Sequence, residues 1–215
     1  YIRNFLKYKD FFVELIIKDI KLKYRDSFLG ILWSMLNPVL FMIVLTIVFS
    51  SLFKNNIENY PVYVLIGRMI YGFFSESTNF AMDSIHANGP LIRKIYVPKY
   101  FFPLSRVLSS FITTLFSFLP LPLIMVITGV GLSAVNLLVI LPLVYILFFS
   151  MGIGLLLSAI TVYFRDVKHL YSVFLMIIMY TSAIFYPAEI IPSEYYMLIK
   201  LNPLFEVIEM ARDVL

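Results

Sequence analysis

One nearly uninterrupted apolar run, from Phe28 to Phe53, constrains this chain more than any other feature. Twenty-six residues of that character, wound at about 1.5 Å per residue, exceed the ~30 Å of hydrocarbon in a bilayer. A soluble domain has no place to hide such a segment. Four further stretches, at about 61–84, 101–128, 137–164 and 167–186, have comparable length, so the reading is five spans. The composition agrees: 61% of residues are hydrophobic and 14% charged, against about 45–50% and 25% in soluble domains. Backbone polar groups inside lipid must be satisfied within each segment, which selects helices over open sheets. The expected fold is therefore an all-α polytopic membrane bundle.

Basic residues give the orientation, because Lys and Arg accumulate on the cytoplasmic side of short connections. Seven lie between Arg3 and Arg25, four more are Arg93, Lys94, Lys99 and Arg106, and two are Arg165 and Lys168. The alternate connections hold only Lys54, Lys200 and Arg212, and Arg68 falls inside the second span. The N-terminus is thus expected in the cytoplasm and the segment 187–215 outside. The same concentration beside apolar runs reads as inner-leaflet anchoring rather than nucleic-acid binding. There is no cysteine, which removes disulfides, thiolate metal sites and cysteine nucleophiles.

Residues 9–25 place Asp10, Glu14, Lys18, Lys21 and Arg25 at helical spacing, with Phe12, Val13, Ile16, Ile17, Ile20 and Tyr24 opposite. This predicts an amphipathic helix, lying in the membrane interface or packed on a partner. Asn37-Pro38 removes a backbone donor from the first span, with or without functional consequence. The second span is unusually polar, carrying Arg68, Glu76 and Asp83, and Gly152, Gly154 and Ser158 in the fourth allow close helix approach. His86 and His169 read as isolated residues, and no metal site is expected. Glu189 and Glu194 do not by their spacing make a catalytic pair, and no catalytic residue is assigned. The connection 87–97 joins a turn at Asn88, Gly89 and Pro90 to a short basic helix ending before Pro98. It is either a helix that docks a soluble motor or a loop held by anionic lipid. No GxxxxGK[ST] phosphate loop is present, so any ATP must be hydrolysed by another polypeptide.

Three separated stretches carry a family resemblance. Residues 17–40, with Arg25, Ser27, Leu29, Gly30, Leu32, Trp33 and Pro38, the VYFRDV segment at 162–167, and residues 184–215 are similar to ABC-2 type permeases that export polysaccharides such as O-antigen, capsule and teichoic acid. The resemblance implies a transport subunit without its own cofactor or enzyme activity, in the inner membrane of a bacterium. Two copies would pair with two ATP-binding subunits, which bind ATP and Mg, and would move a polyprenyl-pyrophosphate-linked glycan. By the same resemblance, 9–25 is a gate helix whose Lys18, Lys21, Lys23 and Arg25 meet a pyrophosphate or phospholipid headgroup. The coupling segment offers Leu91, Ile92, Arg93, Lys94 and Ile95 to the ATPase, and Phe164, Arg165 and Asp166 form the FRD turn. Trp33, Tyr180, Phe185 and Tyr186 are candidates for the channel lining or ordinary interfacial aromatics, and 187–215 is an external re-entrant region. A sixth span is expected beyond Leu215. Arg68 departs from the pattern, standing where the family usually has an apolar residue. The rival readings are an ABC-2 permease for a drug or lipid, and a membrane-embedded enzyme of the same glycan pathway.

Overall fold

The computed structural model describes residues 7–53, 57, 59–190 and 192–215. Arg3 and Lys54, both counted above, lie outside the described residues, as does the Glu189 side chain. Among the described residues the regular structure is helical: α1 (Lys9–Tyr24), α2 (Leu32–Phe53), α3 (Tyr60–Met82), α4 (Ser84–Ala87), α5 (Gly89–Ile92), α6 (Phe101–Ser117), α7 (Pro120–Thr128), α8 (Ile140–Tyr163), α9 (Val167–Thr181), α10 (Ser193–Lys200) and α11 (Pro203–Val214). Short 3-10 segments, Ala134–Val139 and Ala188–Ile190, precede α8 and α10.

Three stretches have both the length and the apolarity to cross a bilayer: Leu32–Phe49 in α2, Phe101–Thr128 through α6 and α7, and Ala134–Tyr163 through the 3-10 turn and α8. These match three of the five expected spans. The chain is a multi-pass membrane protein. The remaining two candidates differ for separate reasons. Helix α3 has 23 residues but is more polar, whereas α9 is apolar but has 15, about 22 Å at 1.5 Å per residue. The expected fifth helix to Tyr186 is therefore too long. It ends at Thr181 because Ser182 and Ala183 turn the chain, with Ala183 at φ 46°, a left-handed conformation that a non-glycine residue rarely adopts.

The polarity of α3 is explained by its position, since it is the axis of the bundle, packed against α2, α6, α8 and α11. Fifteen of its residues, Phe73 and Phe74 among them, are buried. Lipid is as apolar as a leucine side chain, so such contacts hold helices together by close packing and interhelical hydrogen bonds. Both are present. A Cβ on Gly154 of α8 would stand 2.8 Å from the Cβ of Ala81, which bears out the reading of that glycine as a helix-approach site. Tyr71 Oη donates to the Leu175 carbonyl at 3.0 Å and Tyr171 Oη to Thr78 Oγ1 at 2.6 Å, fastening α9 to α3.

At one end of the bundle α1 lies across α6, and α4 and α5 follow α3. The buried face of α1 is Phe12, Leu15 and Asp19, with Phe12 against Phe101 at 5.2 Å between ring centroids. That corrects the sequence-based partition of the helix. Val13 and Ile17, assigned to the apolar side, are 50% and 37% exposed, while Asp19 is among the most buried residues. Its carboxylate Oδ2 lies 3.2 Å from Arg106 Nε, and the Arg106 guanidinium sits over the Phe80 ring at 3.9 Å. Arg106 is therefore a buried residue of α6, not part of a connection. The 87–97 segment is also less helical than expected: the helix stops at Ile92, and Arg93, Lys94 and Ile95 follow in turns.

At the other end, α11 returns to the bundle, burying Leu204, Val207, Ile208 and Ala211. Arg212, read from sequence as an outside charge, is enclosed there. Its guanidinium donates to the Ala183 carbonyl at 3.0 Å and to Glu209 at 2.6 Å, and covers the Tyr63 ring at 3.3 Å. Tyr63 Oη also donates to the Ala183 carbonyl, at 3.0 Å. The strained Ala183 thus delivers one carbonyl to two donors.

Candidate functional site: a polar pocket among α1, α2, α3 and α6

A cavity of about 330 Å³ opens between these four helices. Its position follows from helical periodicity. Arg68, Gly72, Ser75 and Glu76 stand at positions i, i+4, i+7 and i+8 and so form one stripe of α3. Trp33, Asn37 and Pro38 face it from α2, Thr113, Thr114 and Ser117 from α6, and Lys23 and Tyr24 from the end of α1. Hydroxyl and amide groups dominate this wall, in contrast to the apolar outer face of α2, where Ile47 is 75% and Val44 58% exposed.

The charges in the pocket are arranged unequally. Lys23 Nζ contacts Glu76 Oε1 at 2.5 Å and Thr113 Oγ1 at 3.5 Å, while Ser110 Oγ reaches the same carboxylate at 3.4 Å. This ion pair, in the cavity wall, ties the end of α1 to α3. Arg68 has no such counterpart. Its guanidinium rests over the Phe41 ring at 4.7 Å, and among the described residues no carboxylate lies within ion-pair distance.

Phe41 also connects the pocket to the aromatic candidates. Its ring is 6.1 Å from that of Phe185, which meets Tyr180 edge-on at 6.3 Å, and Tyr186 Oη donates to the Tyr180 carbonyl. Tyr180, Phe185 and Tyr186 are therefore one cluster, linked through Phe41 to the pocket that holds Trp33. No local pattern singles out Phe41, because nothing distinguishes it from its apolar neighbours in α2.

The four basic residues assigned to the gate helix do not gather into one patch. A rotation of 100° per residue puts Lys18, Lys21 and Arg25 on one side and Lys23 on another. Lys18 donates to Asn88 Oδ1 at 3.0 Å, Arg25 meets Asp26 at 3.5 Å, Lys21 is exposed, and only Lys23 reaches the pocket. Within the coupling segment Leu91 and Ile92 pack inward on the cluster of Phe12 and Phe101, whereas Arg93, Lys94 and Tyr96 are exposed. Phe164, Arg165 and Asp166 are exposed as well. His86 and His169, read as isolated, share a cleft with Arg165, Asp166 and Lys168, where Lys168 pairs with Asp83. Among the described residues no group of three metal-ligating side chains is found.

Among the described residues the chain is a helical, multi-pass membrane protein with a polar pocket walled by its central helix. The chain belongs to the ABC-2 type transporter family, whose profile matches residues 11–215. Among its relatives, the O-antigen export system permease protein RfbA of Myxococcus xanthus is 31% identical over 209 residues, covering 94% of this chain and 79% of that protein. The protein of the same name from Klebsiella pneumoniae is 29% identical over 95% of this chain and 80% of its own length. The polysialic acid transport protein KpsM of Escherichia coli is 25% identical, with 93% and 78% covered.

Proposed function

We propose that this chain is the membrane-spanning subunit of an ATP-driven exporter that carries a lipid-linked polysaccharide across the inner membrane of a bacterium. The observation that carries the reading is the pocket. It is polar, lies between α1, α2, α3 and α6, holds Trp33, and borders Phe41 through Arg68, the Phe41 ring in turn packing on the Tyr180–Phe185 cluster. Aromatic faces bind the apolar faces of sugar rings, and the surrounding hydroxyl and amide groups exchange hydrogen bonds with sugar hydroxyls. The names of the relatives, O-antigen export and polysialic acid transport, support the same substrate class.

In this reading the end that carries α1, α4, α5 and the FRD turn faces the cytoplasm, as the distribution of Lys and Arg favours. The exposed Arg93, Lys94 and Tyr96 meet an ATP-binding partner, which holds ATP and Mg. Nucleotide-driven motion there passes through α4 and α5 to α3. The Lys23–Glu76 pair yields when α1 moves, which opens the pocket to a lipid-linked substrate, and a second copy of the chain completes the passage.

Deleting the gene in its host and complementing it with the full-length chain tests this. The wild-type chain restores surface polysaccharide and co-purifies with an ATP-binding subunit, whereas an Arg93→Glu, Lys94→Glu, Tyr96→Ala variant inserts normally but loses the partner and the export. Unchanged surface polysaccharide in the deletion strain overturns the substrate assignment, and failure of any ATP-binding subunit to co-purify overturns the energy source.

A further inference from the structure

Arg68 lies eight residues into α3, about 12 Å along the helix from Tyr60 and about 21 Å from Met82 at 1.5 Å per residue. That places a cation well inside the second expected span, whose helix is the axis of the bundle. Charged side chains at such depth face a protein interior or a polar cavity and are balanced by a counter-ion or serve a passing one. Here the second cation of the pocket is already neutralised, since Lys23 is engaged with Glu76. Arg68 has no carboxylate partner among the described residues, so one positive charge in the pocket is left over. Its guanidinium is steadied over the Phe41 ring, 4.7 Å from the ring centroid. A guanidinium held this way can receive a carboxylate through two parallel hydrogen bonds. Trp33, in the wall of the same pocket, supplies a flat surface for the sugar that bears the carboxylate.

We infer that Arg68 is a subsite for the anionic group of an acidic glycan, so that this permease selects polymers carrying carboxylates over neutral ones. The inference rests on the polysaccharide reading and sharpens it to a charge class.

Trp33 is the only tryptophan among these 215 residues, so its fluorescence reports occupancy, with Trp33→Phe as the blank. The full-length chain with its ATP-binding partner, in lipid nanodiscs, is titrated with an oligogalacturonate, with the methyl ester of the same oligomer, and with inorganic pyrophosphate. The wild type is expected to bind the acid more tightly than the ester. Arg68→Gln loses about ten- to a hundredfold in affinity for the acid, the size of a charge-assisted hydrogen bond, and much less for the ester. Retained ester binding shows that the variant is folded. Should Arg68→Gln fail to assemble, Arg68→Lys carries the test, because it keeps the charge, loses the fork and is expected to keep only part of the preference. Equal affinity of the wild type for acid and ester, or a preference that survives Arg68→Gln, overturns the subsite and leaves the polysaccharide reading standing. Pyrophosphate displacing the acid through Arg68 also overturns it, assigning the site to a lipid-carrier headgroup. If neither oligomer alters Trp33 fluorescence, the polysaccharide reading falls and this inference with it.

Discussion

The crossing of α3 and α8 makes a sharp prediction, because two glycines two residues apart in α8 meet opposite surroundings. A Cβ at Gly154 would approach the Ala81 Cβ to 2.8 Å and Val107 Cγ2 to 3.3 Å, whereas one at Gly152 meets nothing within 4 Å. Carbon atoms rest at about 3.5–4.0 Å, so Gly154→Ala forces α3 and α8 apart by roughly 1 Å at their closest point. Overpacking of this kind costs about 1–3 kcal/mol. The substitution also gains up to about 1 kcal/mol of helix propensity in a soluble helix, so the net destabilisation expected is ~1–2 kcal/mol. Gly152→Ala has the gain without the clash and should be neutral or mildly stabilising. The assay is thermal unfolding of the full-length protein in detergent, followed by near-ultraviolet circular dichroism. Because the obstruction is a single methyl on the facing helix, Ala81→Gly in the Gly154→Ala background should recover most of the loss. The packing argument is refuted if Gly154→Ala is as stable as Gly152→Ala, or if Ala81→Gly gives no recovery.

Removing Arg106 isolates a carboxylate that burial already holds above the usual carboxylate range, against the pull of Arg106 and Lys18. A group raised in this way favours the fold most below its ordinary pKa, and that contribution is lost as the pH rises through its folded-state value. Arg106→Gln should therefore cost about 3–5 kcal/mol at neutral pH and less in acid, with Asp19→Asn restoring stability in the double variant. A cost that does not vary with pH in chemical denaturation would count against the buried pair. Gly67→Ala should loosen α11 selectively, because its Cβ would stand 3.0 Å from Arg212 Nη2 and 3.2 Å from Ile184 Cγ2. Faster hydrogen exchange confined to 182–214 is the expected signature, and uniform exchange across the bundle would refute it. Glu76→Gln should change stability by less than about 1 kcal/mol, since both partners of the Lys23–Glu76 pair are partly exposed. It should nevertheless increase protease access to the α1–α2 connection, and unaltered cleavage there would remove the pair as a fastening of α1.

Several features of this protein are legible in its sequence alone. The Phe28–Phe53 run and the small residues of α8 were legible because each depends on local composition: hydrophobic length and an absent side chain. The family resemblance was legible for the same reason, being carried by short contiguous stretches. The partners of the charges were not. Arg106 and Arg212 read as basic residues of connections, and nothing local marks Asp19 as buried, since helical periodicity groups residues by side but does not say which side is buried or what lies opposite. The pocket shows the same limit, because residues 23, 33, 68, 76 and 113 converge from four helices and share no local pattern. The sequence by itself therefore determined the solvent of this protein, its helical class and its family, all consequences of how many apolar residues follow one another and in which short motifs. Tertiary structure alone decided that Lys23 is neutralised by Glu76 and that Arg68 faces the cavity with no carboxylate within ion-pair distance among the described residues, because pairing depends on distances between helices that no single segment contains.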